Sequence, residues 1–272
     1  MPELPEVETI VRELNRELPG RRVSRVRIFR GDALEGAPEE AFRAGLEGRS
    51  FGRVSRRGKY LLFALDSGGS MVAHLRMTGK FVLSALPRQP GRHMRVWFEL
   101  DDGRALVFQD LRCLGTLGLS EDPLAGPPLS RLGMEPLSED FTAERLATAL
   151  AGSRSPLKHW LMDQRRIAGL GNIYASEIMF ASRLDPVRPA GSLSGPEGRR
   201  LHRAVVDILA LAVEKNGTTI SDYARVDDKS GEFQHFLKVY GRTGQPCPEC
   251  ETPIRRIVQQ QRSTFFCPRC QN

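Results

Sequence analysis

A chain of 272 residues, 40% hydrophobic and 27% charged, has the composition of a soluble globular protein with about two domains, which excludes a disordered polyelectrolyte. The formal net charge of +7 favours an anionic partner such as nucleic acid. Three glutamates among the first ten residues argue against a signal peptide, and no apolar run approaches the ~20 residues of a membrane span, so the expected location is the cytoplasm, without a membrane partner.

Taken in chain order, Val7, Ile10, Val11, Leu14 and Leu18 recur at helical spacing, which predicts an amphipathic helix over 5–18 with Pro5 in its first turn and Pro19-Gly20 at its end. Strand-like runs follow at Val23–Phe29, Phe51–Ser55, Tyr60–Leu65, Met71–Leu75, Met94–Leu100 and Ala105–Gln109. Turn signals such as Asp66-Ser67-Gly68-Gly69 and Asp101-Asp102-Gly103 separate them. Many short strands with a flanking helix predict a sandwich or barrel-like β domain. Pro123, Gly126, Pro127 and Pro128 mark a linker.

Beyond the linker the pattern is helical. Phe141–Leu150 is one candidate helix, capped by Thr142 or Ser138. Ser155-Pro156 gives an N-cap and first-turn proline for a second helix carrying Leu157, Trp160 and Leu161. After Gly169-Leu170-Gly171, Asn172 is expected to cap a helix over Ile173–Arg183. Ser194 and Glu197 have capping-box spacing ahead of a long helix that Gly217 closes. Residues 218–233 are polar and aperiodic and read as a loop, and a short β-rich tail follows.

Four of the five cysteines fall in that tail. Cys247-Pro-Glu-Cys250 and Cys267-Pro-Arg-Cys270 form two C-x2-C pairs with sixteen residues between them, the spacing of a tetrahedral four-cysteine site for one structural Zn2+. A tail of about 40 residues needs such a staple to hold a fold. Arg262, near the tip of the expected hairpin, is a candidate phosphate contact. Arg49, Arg53, Arg56, Arg57 and Lys59 form a basic run ahead of the strand at Tyr60, where the overall charge favours phosphate contact over a merely solvated edge. A helix starting at Asn172 offers free N–H groups to a phosphate, although such a terminus by itself is most often only a capped helix.

Taken together, Met1-Pro2-Glu3-Leu4-Pro5-Glu6, Arg57-Gly58-Lys59, the H-L-x-M-T-G run at His74–Gly79 and D-x-R-x-x-G at Asp110–Gly115 form an ordered set. It continues with L-x-D-Q and G-x-G-N-I-Y-x-x-E across Leu161–Glu177, then Phe233–Arg242 and the cysteine tail. The set spans essentially the whole chain and resembles the formamidopyrimidine-DNA glycosylases, which repair oxidised purines. The resemblance implies an α+β multidomain fold: a catalytic N-terminal β-sandwich with flanking helices over 1–122, a linker over 123–130, a helical helix-two-turn-helix domain over 131–233 and a C-terminal zinc-finger β-hairpin over 234–272. It implies damaged double-stranded DNA as partner, a monomer, and no nucleotide cofactor.

The resemblance also implies roles for residues. Removal of Met1 exposes the secondary α-amine of Pro2; such a group ordinarily titrates at about 7.7–8.0 and can form an imine with the sugar C1′. Glu3 is the expected general acid, Glu6 orients the amine or a water, and Lys59 clamps a phosphate next to the lesion. The alternative reading of both glutamates is favourable charge at a helix N-terminus. The target base has to leave the helix; Met77, Arg112 and Leu114 fill its place, although Leu114 stands where the family pattern has Phe. His74, Asn172, Tyr240 and Arg262 match phosphate contacts, Lys158 a lysine near the damaged nucleotide, and Thr218, Thr219 and Ser221 a loop that closes over the everted base. Two other readings compete: an endonuclease VIII-like glycosylase for oxidised pyrimidines, and a non-catalytic zinc-ribbon protein that binds damaged DNA. Pro2-Glu3-Leu4-Pro5 favours the purine enzyme over the first, and the amine beside Glu3 favours catalysis over the second.

Overall fold

In the computed structural model, which describes residues 1–86, 89–218 and 231–272, the chain divides into two compact units. One comprises Met1–Arg131 with Asn216–Glu232, the other Leu132–Lys215 with Phe233–Asn272.

The first unit opens with helix α1 (Leu4–Glu17), one residue earlier than the periodicity suggests. The shift follows from capping: Glu3 is the N-cap, its backbone N–H donates to Glu6 Oε2 at 2.8 Å, and Pro5 occupies the first turn. Two four-stranded antiparallel sheets follow. Strands β1 (Val23–Ile28), β6 (Met94–Leu100), β7 (Arg104–Asp110) and β5 (Gly79–Ala85) form one, in the order β1-β6-β7-β5. The other has the order β2-β3-β4-β8, from β2 (Phe51–Arg57), β3 (Tyr60–Leu65), β4 (Ser70–His74) and β8 (Thr116–Ser120). This is a β-sandwich. Its core joins Phe81, Phe98 and Phe108 of the first sheet to Phe51, Phe63 and Met71 of the second and to Val7, Ile10 and Leu14 of α1. The side-chain amide of Asn15 pairs with both backbone groups of Val54, donating to the carbonyl at 2.7 Å and accepting from the N–H at 2.8 Å, which pins α1 to β2 beside an irregularity in the ladder.

Strands β5 and β8 and helix α2 (Glu39–Leu46) were not foreseen from the sequence. Strand β8 is short and contains Gly118, where a Cβ would stand 2.9 Å from the Glu35 carbonyl, so tertiary packing rather than propensity makes it a strand. Helix α2 buries only Phe42 and Leu46, too sparse an apolar stripe to stand out.

The second unit carries α3 (Ala143–Leu150), capped by Thr142 and not Ser138, α4 (Leu157–Met162), α5 (Asn172–Ala181) and α6 (Gly195–Glu214), the last behind a Ser194–Glu197 capping box. Helix α4 takes Pro156 as its N-cap, one residue later than expected. The pair α4–α5, joined through the Gly169-Leu170-Gly171 break, is the helix-two-turn-helix element. Tyr174 and Ile178 of α5 enter the helical core, while Phe180 packs with Val239, Ile254 and Phe265 against the cysteines. That division explains why α5 shows no single apolar face. Strands β9 (Arg255–Gln259) and β10 (Arg262–Phe266) form the C-terminal hairpin. Among the described residues no helix is long and apolar enough to cross a membrane.

Candidate active site

Within the first unit the N-terminal residues are buried: Pro2 is largely covered, and Glu3 and Glu6 expose only 3% and 2% of their surface. With Met1 in place, burial holds its α-amine below the ordinary value of 8.0, opposed by the charges of Glu3 and Glu6 and assisted by those of Lys59 and Arg112. Those four side chains therefore share the neighbourhood of the chain start. An amine with a lowered pKa is more often neutral near pH 7, and so more often nucleophilic.

Glu6 does more than cap its helix. Its Oε1 accepts from the Thr218 N–H at 2.7 Å and from the Thr218 hydroxyl at 3.0 Å, while Oε2 takes the Glu3 N–H. Thr218, at the root of the expected recognition loop, is 3% exposed, and a Cβ on the adjoining Gly217 would stand 2.7 Å from Glu6 Oε1. Thr219 and Ser221 lie outside the described residues.

Lys59 sits in the two-residue turn joining β2 to β3, where Gly58 has φ +56° as the first position of a type II′ hairpin requires. The basic run before it is not uniformly available to phosphate: Arg56 Nε lies 2.8 Å from Glu8 Oε2 with its side chain only 11% exposed, which ties it to α1. His74, at the end of β4, packs edge-on to Tyr60 at 4.5 Å between ring centroids, and its Nδ1 accepts the Arg76 N–H at 3.0 Å. Burial, with help from Arg76 and Lys59, pushes its pKa down to about 3. A neutral imidazole whose Nδ1 accepts must carry its proton on Nε2, a donor suited to a phosphate oxygen.

Met77, Arg112 and Leu114 lie on two loops of this unit. Met77 and Leu114 are 40% and 44% exposed, and Arg112 is exposed as well. The sequence alone gives no role to the groups that hold these loops. Thr78 and Asp110 link them through the Asp110 carboxylate, which also receives the N–H groups of Arg112, Leu114 and Gly115. Asp110 heads the D-x-R-x-x-G run, so a signal was present in the sequence without its meaning.

Within the second unit, Lys158 is 1% exposed and donates to the Ser263 carbonyl at 2.8 Å and the Thr264 hydroxyl at 2.7 Å. Asn172 Nδ2 donates to the same Ser263 carbonyl at 3.0 Å. Asn172 is thus not the N-cap of α5; Gly171 is, because the amide is drawn to the hairpin. Both side chains hold β10 directly beside Arg262. That arginine is exposed and follows a turn in which Gln260 and Gln261 have φ +45° and +59°, left-handed values that few non-glycine residues adopt. Tyr240 packs edge-on to Phe265 at 5.0 Å, and its backbone N–H donates to Glu177. Ser155, Lys158, His159, Arg165, Gln259 and Arg262 line a polar cleft of about 330 Å³.

The four cysteines converge. Their sulfur atoms all lie within 4.8 Å of one another, with Sγ separations of 3.9 Å for Cys247–Cys270 and 3.4 Å for Cys250–Cys267. Zinc–thiolate bonds of about 2.3 Å in a tetrahedron require about 3.8 Å between sulfurs, so the donor set and its size fit Zn2+. The four cysteines hold one structural zinc ion.

Three family models match in the order of these elements: the formamidopyrimidine-DNA glycosylase N-terminal domain over residues 1–117, the H2TH domain of the same enzymes over 132–224, and the zinc finger found in FPG and IleRS over 244–272. The formamidopyrimidine-DNA glycosylase of Desulfitobacterium hafniense (strain DSM 10664 / DCB-2) is 44% identical over 100% of both chains. Among solved structures, the MutM (Fpg) protein of Thermus thermophilus superposes with a TM-score of 0.89 at 45% identity, covering 99% of this chain and 98% of that one. A Lactococcus lactis Fpg variant in complex with Fapy-dG-containing DNA gives a TM-score of 0.94 at 32% identity over 100% of both chains.

Proposed function

Because the chain belongs to the formamidopyrimidine-DNA glycosylase family, we propose that it excises oxidised purines from damaged duplex DNA with the Pro2 amine as nucleophile, then cuts the strand at the resulting abasic site. It is a DNA glycosylase of base excision repair. The observation that supports the Pro2 assignment is its burial beside Glu3 and Glu6, in surroundings that hold the preceding Met1 amine below its ordinary value.

Removal of Met1 leaves the secondary amine of Pro2 at this position. Its lone pair attacks C1′, the glycosidic bond breaks, and the base leaves with the bonding electrons and takes the equivalent of the N–H proton that the alkylated Pro2 nitrogen gives up, which frees the nitrogen lone pair for the next step. Glu3 protonates the ring oxygen O4′ as the C1′–O4′ bond opens, leaving an iminium between Pro2 and C1′. The iminium acidifies the 2′ hydrogen, so that loss of that proton expels the 3′ phosphate; a second elimination expels the 5′ phosphate and leaves a one-nucleotide gap. Lys59 and neutral His74 hold phosphate oxygens, Arg262, Asn172 and Tyr240 serve the flanking backbone, and Lys158 keeps the hairpin in register. Met77, Arg112 and Leu114 fill the space of the everted base, with leucine wedging without aromatic stacking. Thr218, Thr219 and Ser221 belong to the loop over the extruded base.

Borohydride trapping on duplexes containing 8-oxoguanine tests this. Wild-type protein whose N-terminus is proline by mass is expected to form a covalent adduct that Pro2→Gly loses. Absence of the adduct from such protein refutes the nucleophile, and faster excision of thymine glycol than of 8-oxoguanine refutes the purine preference.

A further inference from the structure

We infer that Asp110 and Thr78 are positioning residues that lock two separate loops into a single preformed wedge, a role that rests on the reading of Met77, Arg112 and Leu114 as the residues that replace the everted base. The Asp110 carboxylate receives four donors. Oδ1 accepts the Thr78 hydroxyl and the Arg112 N–H at 3.1 Å, and Oδ2 accepts the N–H groups of Leu114 and Gly115, both at 2.7 Å. The Thr78 hydroxyl is itself an acceptor for the Arg112 N–H at 3.0 Å, so it bridges the loop of Met77 to the loop of Arg112 and Leu114. From behind, the buried Arg95 guanidinium donates to the Asp110 backbone carbonyl through Nε at 2.9 Å and through Nη2, and Nη2 also meets the Cys113 sulfur.

This scaffolding fixes conformations that the loops would not hold alone. Arg76 and Cys113, one in each loop, have φ +52° and +54°, in the left-handed region that non-glycine residues enter at a cost. The four donors bring the Asp110 carboxyl below its ordinary value in spite of burial, the signature of a carboxylate that stays charged. The result is two exposed apolar tips and an arginine presented before DNA arrives, so insertion need not carry the entropy of ordering both loops.

The test exploits the geometry of the carboxylate. In Asp110→Asn the amide nitrogen faces either the N–H groups of Leu114 and Gly115, which costs two bonds, or the Arg112 N–H and the Thr78 hydroxyl, which can turn to accept from it, so at least one of the four bonds is lost. Thr78→Val removes only the bridge, and Thr78→Ser keeps it. Two readouts apply: fluorescence of 2-aminopurine opposite a tetrahydrofuran abasic analogue at saturating protein, and single-turnover excision of 8-oxoguanine from duplex DNA. Thr78→Val and Asp110→Asn are expected to lose at least about half of the fluorescence rise and about tenfold in duplex excision, with Thr78→Ser close to wild type. Trapping on single-stranded abasic DNA, where nothing is everted, is expected to stay within about twofold. Wild-type fluorescence and excision in Thr78→Val overturn the proposal, as does an equal loss on single-stranded abasic DNA. The fluorescence arm involves no covalent chemistry, so an inert Pro2 would refute the nucleophile and leave this inference standing.

Discussion

Glu177 provides the sharpest stability test. It is buried on α5, and its carboxylate accepts three consecutive backbone N–H groups: Lys238 at 2.9 Å on one oxygen, Val239 at 3.0 Å and Tyr240 at 2.8 Å on the other. These bonds anchor the chain as it enters the zinc module, one turn before Phe180 joins the zinc core. Hydrogen bonds to a charged acceptor contribute about 1.5–3 kcal/mol each, a gross sum of roughly 5–9 kcal/mol. Burial works against this. It raises the Glu177 carboxyl above its ordinary value against the pull of the three donors, so desolvation offsets a large part of the sum. In Glu177→Ala the Val239 N–H is left in a fully buried setting, while those of Lys238 and Tyr240, only partly buried, can take water. A net loss of about 2–4 kcal/mol follows. Glu177→Gln keeps a carbonyl for Val239 and Tyr240 and turns its NH2 toward Lys238, so it should lose about 1 kcal/mol. Urea unfolding measures both, and release of zinc to a metallochromic chelator should accelerate in the same order. An alanine variant within about 0.5 kcal/mol of wild type, or one more stable than the glutamine variant, would refute the reasoning.

Three further outcomes are expected. His74 has a folded pKa of about 3 against 6.5 unfolded, so between those values the unfolded chain binds the extra proton and stability falls as pH drops, by up to about 1.4 kcal/mol per unit. Unfolding free energies from pH 4 to 7 should show that slope in wild type and a shallower one in His74→Gln; equal slopes would exclude His74 as the source. Replacing Glu6 by Gln sets an NH2 group against either Glu3 N–H or the Thr218 donors, so 8-oxoguanine excision should fall about tenfold while cleavage of a preformed abasic site changes less than about threefold. Removal of zinc should dissolve the small core of Phe180, Val239, Ile254 and Phe265, and fluorescence anisotropy should show duplex affinity reduced at least about a hundredfold, with the melting of the β-sandwich unchanged.

What could be read from the sequence was whatever local chemistry encodes. Helix α1 announces itself through an apolar stripe and a first-turn proline, and the zinc site through two C-x2-C pairs that need no partner elsewhere in the chain. What escaped depends on distant residues. Asn172 looks like a cap because asparagine often is one, yet its amide is taken by Ser263, 91 positions away. Arg56 looks like a phosphate ligand until Glu8, on a helix 48 residues earlier, claims it. The same limit explains why Met77, Arg112 and Leu114 were legible only as members of a family pattern. Exposed apolar residues on loops carry no periodic signal, and what makes them usable is the convergence of Thr78 and Asp110, 32 residues apart, on one carboxylate. A recognised motif thus named the groups proposed to meet DNA, whereas the groups that hold them in place were visible only once the strands ending near residues 74 and 110 had been brought into neighbouring positions. The Asp of D-x-R-x-x-G, which holds both loops rather than reaching out from them, is the residue whose loss should separate eversion of the base from the chemistry at C1′.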